Sequence, residues 1–344
     1  MKILKQVLGV DVAQKELVVT FGKLNEDLSF ELSSRRTFAN KATGFGALLK
    51  WLRKQVTEEV LLQVVMEATG IYHQKFAQFL YGNGVGLTIV LPNKISNYMR
   101  TLQVKTVTDQ TCADAICQFG LERKLDTWSP SDSGYDFLRE LTRERDQIVA
   151  ERVVIKNQIH AHQSKAVYNH TTLARLESRK KFLNQQEREI KAEISAYLQS
   201  NKSVGDQVER LCTIPGVGEL TAVTILGETN GFELIRSKKQ LASYAGLDVR
   251  EKQSGTSVKG KPRISKQGNR YLRKAMHLPA LTAIRHEQRY KDMFTRLVSR
   301  HGIKMKAAVA IQRKLLELTY VLVKNNTIYD SNYLPVNKEE RQLQ

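Results

Sequence analysis

Cysteine is scarce in this chain. Its 344 residues hold three, Cys112, Cys117 and Cys212, too few and too scattered for a disulfide framework or a zinc site. A reduced cytoplasm is the expected compartment. Long apolar runs are missing too. No stretch approaches the roughly eighteen residues of a membrane span. Asp11 interrupts the apolar N-terminal segment, and no small-residue cleavage site follows it, so secretion is not expected. There is no lipidation motif and no strongly basic amphipathic helix to hold a membrane surface. Internal repeats and low-complexity segments are also lacking. Acidic residues are the last shortage: 35 Asp and Glu stand against 54 Lys and Arg, a net charge of +19. An excess that large calls for a polyanionic partner, most simply nucleic acid.

The excess is uneven. Residues 1–130 carry 16 basic and 12 acidic side chains, residues 131–203 carry 13 and 10, and residues 204–344 carry 25 and 13. The polyanion surface is therefore expected in the C-terminal part. With 41% hydrophobic and 26% charged residues, the composition is globular, and the length suits about two domains.

The pattern of residues predicts strands at 7–12, 16–22 and 29–38, a helix at 43–56, a buried strand at 61–68 and a helix at 72–82 that stops at Gly82-Asn83-Gly84. A strand at 86–92 and helices near 93–103 and 109–124 follow. A three-stranded meander followed by α/β crossovers makes a mixed sheet with helices on its faces. Residues 130–134 read as a linker. From 136 to 200, Leu138, Leu141, Ile148, Ile155 and Ile159, then Leu173, Leu176, Leu183, Ile190 and Ile194, repeat at heptad-like steps. Arg145, Arg152, Lys180 and Glu187 interrupt the stripes. A break near 164–172 makes this an antiparallel helical hairpin, expected to serve as a dimerisation arm. The rest is mainly helical, apart from a loop at 247–268 and a polar tail. The expected domains are 1–130, 131–203 and 204–330, with the tail at 331–344.

Three features carry chemistry. Asp11 interrupts the first strand and Glu67 ends the fourth. On neighbouring strands the two carboxylates converge, and like charges brought together need a cation between them. Mg²⁺ or Mn²⁺ suits an all-oxygen site. Asp109 and Asp114 are candidates for the further acids, although Asp109, following Thr108, also reads as a plain helix start. Four acids in this order of elements match a ribonuclease-H-like two-metal layout. The second feature is IPGVG at 214–218, where Gly216 and Gly218 would let backbone N–H groups of a helix–hairpin–helix reach a phosphate. The third is the stretch 250–274, with nine basic residues and one acid, Glu251. Lys259, Lys261, Arg263, Lys266, Arg270 and Arg273 are its candidate nucleic-acid contacts. Gly255, Gly260, Pro262 and Gly268 are expected to keep it from forming helix or regular strand. Spacing alone makes Ser254 a hydrogen-bond donor in a phosphate-binding loop. An activated nucleophile is the alternative. His277 and His286 lie on the next helix and offer no obvious base.

These pieces occur together and in order: the strand with Asp11, EATGIY at 67–72, VKTVTD followed by DAICQFG within 104–120, IPGVG at 214–218, YAGL at 244–247 and SGTSVKGKPRISKQGNRYLRKAM at 254–276. The chain resembles the DEDD/serine insertion-sequence transposases, which are bridge-RNA-guided recombinases, over nearly its whole length. The resemblance implies a RuvC-like N-terminal nuclease domain, a coiled-coil dimerisation segment and a mainly helical C-terminal domain bearing a serine. It also implies a DNA transposase or recombinase acting on element ends and target, with Mg²⁺ or Mn²⁺, a guide RNA, a dimer or tetramer and no membrane. Carried over, Asp11, Glu67 and Asp109 are the first three acids and Ser254 is the nucleophile, in preference to Ser257 or Ser265. The fourth acid departs from the family's Asp-x-x-Asp-Ala: ungapped alignment puts Cys112 in its place, and Asp114 is nominated as the substitute ligand. Two other readings remain open: a Holliday-junction resolvase-like nuclease using the acids only, and a non-catalytic nucleic-acid-binding protein.

Overall fold

Odd and even residues of the first strand face two different cores. β1 (Ile3–Val12) turns Leu8, Val10 and Val12 into one apolar cluster and Val7 into another. Side chains alternate along a strand, so Gly9 and Asp11 share the face of Val7. β2 (Glu16–Asn25) and β3 (Phe30–Ala39) complete an antiparallel meander. α1 (Ala42–Arg53) leads to β4 (Leu62–Glu67), which runs parallel to β1 with Val10 opposite Met66. α2 (Gln74–Gly82) leads to β5 (Leu87–Val90), parallel to β4. The sheet order is β3-β2-β1-β4-β5, the expected mixed sheet. Phe45 and Leu48 of α1 and Phe76 of α2 cover the even face.

α3 (Pro92–Thr101) and α4 (Asp109–Glu122) cover the odd face. α4 lies tight against β1. A Cβ on Gly9 would come within 2.3 Å of the Cys117 backbone nitrogen and 2.5 Å of the Ala113 carbonyl oxygen, so only glycine permits the approach. The structure is a computed structural model, described for residues 2–57, 60–68, 70–102, 106–130, 133–233, 235–251, 253–254, 258–260 and 262–331.

The chain divides into two compact units, Met1–Pro130 and Ser131–Gln344. The second opens with the helical hairpin, α5 (Ser133–Gln163) and α6 (His170–Ser200). The hairpin lies within the same unit as everything that follows. Its two stripes are buried in one apolar cluster with the rest of the unit. The interruptions also answer one another. Glu187 accepts from Arg145 at 2.8 and 3.0 Å, pairs with Lys191 at 3.2 Å and is bonded by Arg152, while Lys180 pairs with Glu177 at 2.6 Å. Burial pushes the Glu187 carboxyl up, but hydrogen bonds from Arg152, Lys191 and Arg145 outweigh it and hold it at about 2. A depressed carboxylate contributes stability that is full above its unfolded pKa of about 4.3 and lost as pH falls through the folded value. Glu187→Gln is therefore expected to destabilise the protein by about 2–3 kcal/mol at pH 7. In urea unfolding, the gap to wild type should close between pH 4.5 and 2.

α7 (Lys202–Cys212), α8 (Glu219–Thr229) and α9 (Lys238–Tyr244) follow. Next comes a β-arm in place of the irregular loop expected there: β6 (Val249–Arg250) pairs with β9 (Arg263–Ile264), and β7 (Gln253–Ser254) with β8 (Val258–Lys259). α10 (Arg270–Ala275), α11 (His277–His286), α12 (Gln288–His301) and α13 (Lys304–Asn325) close the described part. The expected tail lies mostly outside the described residues. Among the described residues no helix is long and apolar enough to cross a membrane.

Candidate active site

β1 and β4 end side by side, and their register puts Asp11 beside Glu67. Val7 and Val65 share a cluster with α4, so by alternation Asp11 and Glu67 face α4 as well. Thr108 starts that helix. Its hydroxyl accepts from the Thr111 N–H at 3.2 Å, while the Thr111 hydroxyl accepts from the Thr108 N–H at 2.8 Å. Asp109 is then the first helical residue, and Cys112 lies one turn on. Burial, followed by the charges of Asp109 and Glu67, pushes the Asp11 carboxyl up to about 6. Burial, followed by Asp11, Glu67 and Asp109, pushes the Cys112 thiol up to about 11. Cys112 is therefore a neutral thiol facing three acids.

Asp114 is not brought to this group. It lies two residues from Cys112, a rotation of about 200°, and it faces β2 and β3. Arg35 donates to it from Nε and Nη2, both at 3.0 Å, Thr20 Oγ1 at 2.6 Å and Gln110 Nε2 at 3.1 Å. A carboxylate so neutralised is a structural anchor, which corrects its nomination as a metal ligand. An Asp11 carboxyl raised by two neighbouring carboxylates belongs to a donor set suited to a hard divalent cation, whereas a thiol is not. As they stand, no three His, Cys, Asp or Glu side chains among the described residues close into a metal cage. The acids are near enough to feel one another without being drawn to ligand distance.

In the second unit, Ser254 lies on β7, paired across the arm with Val258. Its side chain, Lys259's side chain, Gly255, Ser257 and Lys261 lie outside the described residues. Ser265 is committed elsewhere, since its hydroxyl donates to Asp248 Oδ1 at 2.5 Å. Arg263, Lys266 and Arg270 are exposed, and Arg270 stacks over Tyr271 at 4.8 Å. Arg273 is not free for phosphate: its Nη1 donates to the carbonyls of Ala245 at 2.7 Å, Gly268 at 3.2 Å and Asn269 at 3.3 Å. Gly218 precedes α8 with open space around it. Gly216 has φ +84°, and a Cβ there would meet the Thr282 Cβ at 2.7 Å. It is therefore glycine for its turn and for packing on α11. Glu219, the first residue of α8, puts a negative charge where a phosphate would dock.

Sequence reasoning missed the bolt at the base of the arm. Glu228, with its side chain 1% exposed, accepts from Arg143 at 2.7 and 2.8 Å and from Asn269 Nδ2 at 2.5 Å. Asn269 also caps α10, and its N–H donates to Tyr244 O at 2.7 Å. YAGL and QGN thus pack as one clamp. The available signal was an acid ending an otherwise apolar helix, LTAVTILGE.

A family model described as "Transposase IS116/IS110/IS902 family" matches residues 208–295, and the DEDD transposase model of the IS110 group matches residues 8–167. The chain belongs to this transposase family. It is a DNA recombinase. The "Pilin gene-inverting protein" of Moraxella bovis is 26% identical to it over 95% of this chain and 98% of that one. The "Transposase for insertion sequence element IS1111A" of Coxiella burnetii is 23% identical over 77% and 79%. Among solved structures, the T. thermophilus RuvC complex with a Holliday junction substrate aligns at 9% identity and a TM-score of 0.28, over 36% of this chain and 99% of that one, a likeness too slight to carry weight.

Proposed function

We propose that this recombinase exchanges DNA strands with two sets of residues, Asp11, Glu67 and Asp109 in the first unit and Ser254 in the second. The observation that carries the reading is the gathering of three acids from β1, β4 and α4, with Asp11 held at about 6. Mg²⁺ or Mn²⁺ bound there would offset charge on the phosphoryl oxygens and favour the alkoxide. Cys112 stands beside it as a neutral neighbour. Ser254 Oγ displaces one deoxyribose oxygen from phosphorus and holds the strand covalently. A sugar hydroxyl of the second strand then reverses the displacement and frees the serine. The exposed Arg263, Lys266 and Arg270 carry phosphate, and a structured guide RNA is the second polyanion. The test is strand exchange with and without EDTA. Chelation is expected to stop exchange by about a hundredfold or more while a gel shift on the same DNA persists. Exchange at full rate in EDTA overturns the reading.

Self-association is part of the same reading. Val153, Val154 and Phe182 are 49%, 54% and 60% exposed, and the Arg152–Asn184 contact puts them at one level of the hairpin. A second copy of the hairpin covers them. Light scattering on the Val153→Ser, Phe182→Ser protein is expected to show a smaller assembly than wild type. An unchanged assembly rules out this face.

A further inference from the structure

A line of cations on α12 plays no part in the chemistry above. Arg289, Arg296 and Arg300 are exposed and follow one another at steps of seven and four, within about 20° of a common line along the helix. Arg285 precedes them, and Lys304 and Lys306, also exposed, follow past the corner at Gly302. None of the six is in an ion pair among the described residues. At the corner, loss of hydration and then the charges of Lys306 and Arg300 lower the His301 imidazole. The acids nearby are engaged: Asp292 accepts from Gln288 Nε2 at 2.7 Å and Glu287 from the Tyr329 hydroxyl at 3.2 Å.

We propose that this flank of α12 and the α12–α13 corner form a second nucleic-acid surface, which holds the phosphate backbone of duplex DNA. Eleven residues of helix span about 16 Å, over which B-DNA presents on the order of five phosphates per strand. Three aligned guanidinium groups suit such a row. The aromatic residues of α12 do not serve as stacking platforms: Tyr290 is buried and Phe294 is packed against the core. Surfaces for single strands use exposed aromatic rings between their cations, and α12 sets no exposed Tyr, Phe or Trp among its arginines, which favours duplex. The surface is separate in sequence from the β-arm and the IPGVG turn. It rests on the reading that the protein acts on DNA.

The test uses the full chain and a labelled 30-base-pair duplex of unrelated sequence, with binding followed by anisotropy across a KCl series. The Arg289→Gln, Arg296→Gln, Arg300→Gln protein is expected to lose about 2–3 from the slope of log affinity against log salt, since each phosphate contact contributes about 0.9. A control triple on α6 (Arg175→Gln, Arg179→Gln, Lys181→Gln) should keep the wild-type slope. If the patch triple melts early by circular dichroism, Arg300→Gln alone should lose about 0.9. An unchanged slope in a folded variant overturns the proposal, as does an equal loss from the control. A loss seen on single strands or duplex RNA but not on duplex DNA also overturns it. A wild-type protein that binds no DNA overturns the parent reading as well.

Discussion

Asp11→Asn protein is expected to bind DNA as wild type does and to exchange strands about a thousandfold more slowly. The substitution removes one charge and keeps the shape. Its second effect has the opposite sign. Without metal, the folded Asp11 carboxyl holds its proton up to about pH 6, whereas an unfolded aspartate releases its proton near 3.9. Wild-type stability therefore falls as pH rises from about 4 to about 6 and is level above that. Asparagine escapes this loss. In EDTA at pH 7.5 the variant should be more stable by about 2 kcal/mol, and the difference should vanish below pH 4. Mg²⁺ should raise the melting temperature of wild type and leave the variant unmoved. A variant destabilised in EDTA would mean that Asp11 has a cationic partner in place of two carboxylate neighbours.

Ser254→Ala is the second large effect. Recombination should fall by at least about a thousandfold, because a nucleophile has no substitute. DNA affinity should change by less than about twofold, since one hydroxyl is small beside the arm's cations. An acids-only nuclease predicts the reverse: cleavage survives in Ser254→Ala and is lost in Asp11→Asn.

Much of the first unit is legible in the sequence because strand alternation and helix punctuation are local signals. Asp11 within an apolar strand and Glu67 at the end of another pair by pattern alone, and their shared parity puts both on the α4 face. The fourth position is harder. Sequence offers Asp114 for its charge, but a helix that starts at Asp109 presents Cys112 to the acids and turns Asp114 toward Arg35. That choice depends on Arg35, 79 residues away, which no local pattern reveals. The hairpin's heptads are plain, whereas the pairing of the charges that interrupt them is not: Arg145 and Arg152 reach Glu187 only once the helices are folded back. The β-arm reads as an irregular loop because its ladders are two residues each, below the length at which alternation shows. Glu228 escapes notice because its partners Arg143 and Asn269 come from distant segments.

One measurement tests the serine chemistry most directly. A suicide DNA substrate that loses its leaving strand traps the covalent step, and digestion of the trapped protein identifies the peptide attached to DNA. A single adduct is expected on the peptide containing Ser254, formed with Mg²⁺ and absent both in EDTA and in Asp11→Asn protein. An adduct on another residue, or complete strand exchange with no adduct at all, would contradict the mechanism.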